Sequence, residues 1–390
     1  MPGSPPARSL PRTELLRRLV AFDTTSRLSN LPMVDFLSEV LDRPGVRIYR
    51  QPDPAEDKAN VVAIAGPERE DRAGLVLSGH MDVVPAGEGW RSDPLTLAES
   101  GGTYVGRGAC DMKGFLALAT ERMAGVDPER LTAPLALVFT YDEEVGTLGA
   151  RRFAEGWAEA GRLPRRTIVG EPTSLRPVRL NKGHLRLRLV IPGRSAHSAY
   201  PHLGVNAIEH GGRAIVALSA LREELQRERP AAATSFPDVP FVTLNVGQVS
   251  GGVATNVVPD RCALEIGARL LPGGQSTDLI ERIRQAVARV LGAHPFELCA
   301  VAESPPMSLD RDADHFRVLA AESGVADSPG VSFATDAGWL QAAGLECVVW
   351  GPGSIEVAHQ PNEFIPMAEL DRAAEVLDRM VQRYCAGGDP

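Results

Sequence analysis

Short runs of apolar and β-branched residues alternate with stretches of helical spacing over the first 182 residues and again after residue 301, and this alternation constrains the fold more than any other feature. Strands are expected over 60–64, 75–78, 135–141 and 167–169, and late in the chain over 347–350. Two opening helices are expected, one carried by Leu10, Leu15, Leu16, Leu19 and Val20 and one over 31–41. Further helices are expected over 112–123, 150–159, 315–322, 337–343 and 367–384. Strands alternating with helices imply an α/β fold, a mixed and mostly parallel sheet with helices on both faces. In such a sheet ligands bind beyond the carboxyl ends of the strands.

The texture changes in mid-chain. Residues 184–191 alternate strictly, with Leu185, Leu187, Leu189 and Ile191 on one face, the pattern of a half-buried antiparallel strand. A helix follows (Val205, Ile208, Ile215, Leu218, Leu221), then strands over 241–249 and 261–270. A second helix (Leu279, Ile280, Ile283, Val287, Val290, Leu291) and a strand over 296–301 complete the order βαββαβ, the ferredoxin-like split motif. A self-contained motif here reads as an insertion. The expected organisation is a catalytic domain in two parts, 1–182 and 302–390, and a lid of 183–301.

The 390 residues suffice for this, and 44% of them are hydrophobic, enough for a buried core. The charge of −9 argues against a nucleic-acid partner. No apolar run nears the roughly 18 residues of a membrane span, and the prolines at the start (Pro2, Pro5, Pro6, Pro11) come with no apolar leader segment. A soluble cytoplasmic protein is expected. The cysteines at 110, 262, 299, 347 and 385 are odd in number and form no CxxC pair, so neither a disulfide framework nor a thiolate metal site is expected.

Ionisable residues crowd the expected strand ends. The strand over 75–78 runs into Gly79-His80-Met81-Asp82, and Gly106-Arg107-Gly108-Ala109-Cys110-Asp111 precedes a helix. The strand over 135–141 ends in Asp142-Glu143-Glu144, that over 167–169 in Gly170-Glu171-Pro172, and Ala358-His359-Gln360-Pro361 follows the last. A lone histidine beside a strand is more often a satisfied structural residue, and paired glutamates are usually a solvated face. The joint pattern differs, because carboxylates converging on one sheet edge repel one another unless a cation lies among them. Histidines and carboxylates without cysteine suit zinc, cobalt or manganese. His80, Asp111, Glu144, Glu171 and His359 are too many for one catalytic zinc that keeps an open position. With Asp111 bridging, two metals would each have three protein ligands. Asp82 fits a carboxylate that orients His80, and Glu143 is left free as general base.

The segments GHMDVVP (79–85), GRGACDMKG (106–114), DEEVG (142–146), GEPTS (170–174) and AHQPNE (358–363) resemble the di-zinc amidohydrolases and metallopeptidases, and the likeness runs nearly the whole length. It implies one zinc on His80, Asp111 and Glu171 and a second on Asp111, Glu144 and His359, with Co2+ able to substitute, and a water between them activated by Glu143. It implies a homodimer formed through the lids, in which His197 of Gly193-Arg194-Ser195-Ala196-His197-Ser198 reaches the partner's site and stabilises the oxyanion. Asn256 and Arg269 resemble positions that contact substrate, Arg269 through a carboxylate, and Thr335 and Gly353 resemble wall residues. The substrate implied is a small N-acyl amino acid, with N2-acetyl-L-ornithine giving L-ornithine and acetate in arginine biosynthesis as the expected reaction. Val145-Gly146 departs from the small polar pair of that branch. Other acylases and peptidases of the family share the ligands. A catalytically silent scaffold would lack a ligand or the base, and all are present.

Overall fold

The computed structural model describes residues 10–157, 162–325 and 328–387. Pro2, Pro5, Pro6 and the last residues of the helix expected over 150–159 lie outside them. The strands of the two principal sheets are, in chain order, β1 (Val46–Pro52), β2 (Ala59–Ala65), β3 (Leu75–His80), β4 (Leu135–Thr140), β5 (Arg166–Val169), β6 (Gly183–Pro192), β7 (Thr243–Gly251), β8 (Arg261–Leu270), β9 (Glu297–Ser304) and β10 (Glu346–Val349). The helices are α1 (Arg12–Ala21), α2 (Leu31–Leu41), α3 (Gly114–Gly125), α4 (Leu148–Gly156), α5 (Ala207–Arg227), α6 (Ser276–Leu291), α7 (Asp314–Ser323), α8 (Ala337–Ala342) and α9 (Met367–Cys385). The chain divides into two compact units, one of Met1–Arg179, Leu309–Ser328 and Thr335–Pro390, the other of Leu180–Ser308 and Pro329–Ala334.

The first unit is built on a six-stranded mixed sheet in the order β1-β2-β4-β3-β5-β10. The pairs β4–β3, β3–β5 and β5–β10 are parallel, whereas β1–β2 and β2–β4 are antiparallel. Every residue of β2, β3 and β4 is buried, which requires cover on both faces of the sheet. One helix group supplies α3 against β3 and β4, with α1, α2 and α9 packed on α3; the other supplies α4 and α8, packed on each other. α3 is apolar nearly all round, as a helix enclosed on every side must be. Register then places the chemistry. Ser78 lies opposite both Val138 and Val169, so His80, Thr140 and Glu171 each stand two residues beyond one row, at the carboxyl end of the sheet.

The second unit carries a four-stranded antiparallel sheet in the order β7-β8-β6-β9, with α5 and α6 packed together. Its chain order is βαββαβ. Leu185, Leu187, Leu189 and Ile191 of β6 are all fully buried, as the alternation predicts. The unit begins at Leu180 and runs to Ser308, compared with the 183–301 read from the sequence.

Three local readings differ. The helix expected from 112 starts at Gly114, because Asp111 (φ −120°, ψ 93°) and Met112 (φ −134°, ψ 37°) are non-helical. Val205 stands outside α5, paired with Arg194, and the helix opens instead at Asn206, whose side chain accepts the N–H groups of Ile208 and Glu209 at 3.0 and 3.2 Å. The edge strand β1 has no expected counterpart, since Val46 to Tyr49 are only half-buried, the buried residue is the polar Gln51, and the run shows little apolar contrast. All five cysteines are free. Among the described residues no helix is long and apolar enough to cross a membrane.

Leu187→Ala removes a fully buried side chain from the middle of β6. It is expected to lower stability in urea unfolding by about 2–5 kcal/mol, whereas Val216→Ala, on the exposed face of α5, should stay within about 0.5 kcal/mol.

Candidate metal centre

His80 ends β3 and is buried. Its Nδ1 lies 2.9 Å from the carbonyl oxygen of Asp82, an acceptor only, so Nδ1 carries the proton of that bond. In the neutral ring Nε2 is then a lone pair, and it faces Asp111 Oδ1 at 3.0 Å. His359 Nε2 stands 3.0 Å from Glu144 Oε1 and 3.3 Å from Asp111 Oδ2. The carboxylate of Asp111 thus lies between two imidazoles. Ligand atoms of His80, Asp111 and Glu171 lie within 4.8 Å of one another, and so do those of Asp111, Glu144 and His359.

Charge crowding marks each group. Burial presses the His80 imidazolium down, yet the hydrogen bond and charge of Asp111, helped by Glu171 and Asp82, prevail and hold its pKa well above the ordinary histidine value. Bonds to Asp111 and Glu144 push the half-exposed His359 up to about 10. Burial raises the carboxyls of Glu143, Glu144 and Glu171; Glu171 adds to the rise at Glu143, and Asp111 at Glu144 and Glu171. Asp111 runs the other way: burial opposes its charge, but bonds to His359 and His80 keep it below the usual carboxylate range. Glu171 Oε1 is buried with no hydrogen-bond partner. Imidazoles and carboxylates brought within one another's reach, with Glu171 Oε1 left without a partner, make an all-nitrogen-and-oxygen donor set that fits a divalent cation.

The comparisons with known proteins agree. Residues 76–383 match the model of peptidase family M20/M25/M40. The chain is 41% identical to an acetylornithine deacetylase of Myxococcus xanthus, over 95% of this chain and 97% of that protein. It is 37% identical to one of Proteus mirabilis, over 95% and 96%. The chain belongs to this peptidase family.

Among solved structures, the M20 fold of this chain is matched by an M20 family metallo-carboxypeptidase of Sulfolobus solfataricus, with TM-score 0.79, 17% identity, and 96% and 99% of the two chains covered. A Bacillus subtilis protein described as a dinuclear metal binding peptidase of the M20 family matches with TM-score 0.67 and 16% identity, covering 95% and 97%. Given its family and these relatives, the M20-family chain is a metal-dependent amidohydrolase.

Asp82 does more than its expected part. Its carbonyl, not its carboxylate, is nearest His80 Nδ1, the carboxylate standing at 3.7 Å. The carboxylate instead accepts Ser26 Oγ–H (2.7 Å) and the N–H groups of Glu143 (3.0 Å) and Glu144 (3.2 Å), and so holds the turn that presents both glutamates. That turn begins at Asp142, in left-handed backbone with φ 54°, clamped by Lys58 Nζ at 2.6 Å. Burial outweighs the Lys58 bond and pushes the Asp142 carboxyl up to about 6. Gly353 has φ 89°, and a Cβ there would stand 2.4 Å from Cys110 Sγ, so the left-handed backbone and the close approach together favour glycine at that position. Thr335 is buried, its hydroxyl oxygen accepting the Ala337 N–H at 3.2 Å.

His197, Asn256 and Arg269 belong to the second unit. His197 is exposed and pairs with Val257, and Ser198 N–H donates to the carbonyl of Asn256 at 2.9 Å, so the 197 and 256 loops form one surface. Arg269 lies on β8, opposite Thr243 and His184.

Sequence reasoning missed Lys58, Asp336 and the Arg107–Glu363 pair, all buried. Asp336 accepts the Thr140 hydroxyl with one oxygen, while its Oδ1 has no partner. The stretches around Lys58, Arg107, Asp336 and Glu363 carry no spacing signal that pairs them, so only three-dimensional neighbours reveal them.

Zn2+ added to the metal-free protein is expected to raise its melting temperature, increasingly with concentration as mass action requires, and a chelator to reverse the rise. A melting temperature indifferent to both would remove the metal centre.

Proposed function

We propose that the protein deacetylates N2-acetyl-L-ornithine, giving L-ornithine and acetate for arginine biosynthesis, as a homodimer with two zinc ions per subunit. The observation that carries the substrate is 41% identity over nearly the full length to an acetylornithine deacetylase. His80, Asp111 and Glu171 would hold one cation, Asp111, Glu144 and His359 the other, with Co2+ able to replace zinc. Bound there, such cations would supply Lewis-acid stabilisation and a nucleophilic water at neutral pH.

Around them the side chains divide the work. Glu143 takes a proton from the attacking water and returns it to the leaving amine, so that one carboxylate is base and then acid, and the amide is cleaved to carboxylate and amine. Asp82 keeps Glu143 in place through the bond to its N–H. His197 of the partner subunit donates to the tetrahedral oxyanion. Arg269 takes the substrate carboxylate, a charge-assisted pairing suited to a guanidinium. The resemblance implies a substrate contact for Asn256 and wall positions for Thr335 and Gly353.

Side-by-side turnover on acetylornithine, acetylmethionine and succinyl-diaminopimelate tests the substrate, and acetylornithine should show the highest kcat/KM. In the same assay Glu143→Gln should keep its metal and lose turnover by several orders of magnitude. Preference for another acyl donor, or an active Glu143→Gln, would sink the corresponding part.

Action across the dimer has its own test. Mixing inactive His197→Ala subunits with inactive Glu143→Ala subunits should restore activity, since one hybrid site then holds both groups. Confirmed heterodimers without recovery count against it.

A further inference from the structure

Glu363 is buried, and both of its oxygens are engaged. Oε1 accepts the backbone N–H of Cys110 at 2.9 Å and of Asp111 at 3.0 Å. Oε2 accepts the N–H of Gly108 at 3.1 Å and a guanidinium N–H of Arg107 at 2.5 Å. Its main-chain carbonyl takes the N–H of Gly106 at 3.0 Å. One residue therefore gathers every donor that the 106–111 segment turns toward it.

Arg107 extends the connection. It donates to the carbonyls of Ala86 (3.1 Å) and Pro85 (3.4 Å), and its guanidinium lies 5.2 Å from the centroid of the Trp90 ring. The Trp90 indole N–H in turn donates to Ala86 at 2.8 Å. Three segments are tied in this way: 85–90 just after His80 and Asp82, 106–111 ending at Asp111, and 359–363 beginning at His359.

None of the three is held by a helix or strand of its own at the decisive residue. Asp111 is non-helical, and His359 has left-handed backbone with φ 63°. A buried ion pair contributes little net stability for the charges it takes out of water. What this one supplies is placement, because a carboxylate accepting four N–H groups fixes their positions to within hydrogen-bond tolerance.

We propose that Glu363, together with Arg107, is a positioning residue for the metal centre, setting the Asp111 loop against the His359 loop so that Asp111 can face both cations. The proposal rests on the ligand set given under the proposed function. Neither residue contacts substrate; both act through the backbone of Asp111.

Metal binding reads this out without turnover. Metal-free wild-type, Glu363→Gln and Arg107→Lys proteins are titrated with Zn2+ by calorimetry and with Co2+ by visible absorption. Glu363→Gln keeps the side-chain size but turns an NH2 group toward the donors of Gly108 and Arg107. It should bind at least one Zn2+ equivalent about 10–100-fold more weakly, alter the Co2+ spectrum, and lower kcat with KM little changed. Arg107→Lys keeps the charge but loses the fork to Ala86, and should move the same way by a smaller factor. It also serves as the reading should Glu363→Gln fail to fold. Wild-type Zn2+ affinities and a wild-type Co2+ spectrum in a folded variant would overturn the proposal. Wild-type protein that binds both metals but cleaves no acylated amino acid would instead sink the functional reading and leave this one standing.

Discussion

The repulsion among acidic side chains at one end of one sheet is the constraint on which the rest of the first unit depends. Asp111, Glu143, Glu144 and Glu171 converge there, and burial alone would drive each toward its neutral form. Two imidazoles face Asp111, one fixed by the carbonyl of Asp82 and one reaching in from the late 359 segment. A divalent cation is the simplest partner for such a set, and the surrounding contacts serve to keep the acids from moving apart.

Those contacts are themselves charged and buried. Lys58 clamps Asp142 on the turn before the two glutamates, and Arg107 and Glu363 bind the Asp111 loop to the His359 loop. Apolar replacements could match such pairs in stability. They could not supply the directed N–H acceptors that irregular backbone needs. Around them the fully buried strands β2, β3 and β4 form a rigid base, and the parallel register brings His80 and Glu171 level. The second unit solves a different problem, with an antiparallel sheet whose β6 alternates buried and outward residues.

Much of this was legible in the sequence where local pattern and structure coincide. The runs ending at His80, Glu143-Glu144 and Glu171 declared themselves as strands because their burial is continuous, and Leu185 to Ile191 because theirs alternates. The match failed where local pattern and tertiary context part. Met112 fits a helical apolar spacing, yet its neighbour Asp111 is non-helical and gives its N–H to the distant Glu363. β1 lies at a sheet edge, where half-burial leaves no apolar rhythm. Lys58 and Arg107 carry no assignable role in the sequence, since their partners lie 84 and 256 positions away.

By itself, then, the sequence determined the strand-and-helix alternation, the interruption by a βαββαβ segment, and the chemical types of the residues at the strand ends, since these follow from side-chain polarity and short-range periodicity. The tertiary structure alone decided that Asp111 stands between His80 and His359, that Asp82 works through its carbonyl on one side and its carboxylate on the other, and that Glu363 anchors the loop of Asp111. Such placements depend on strand register and on charges paired across long stretches of chain, and no local window of sequence contains both partners.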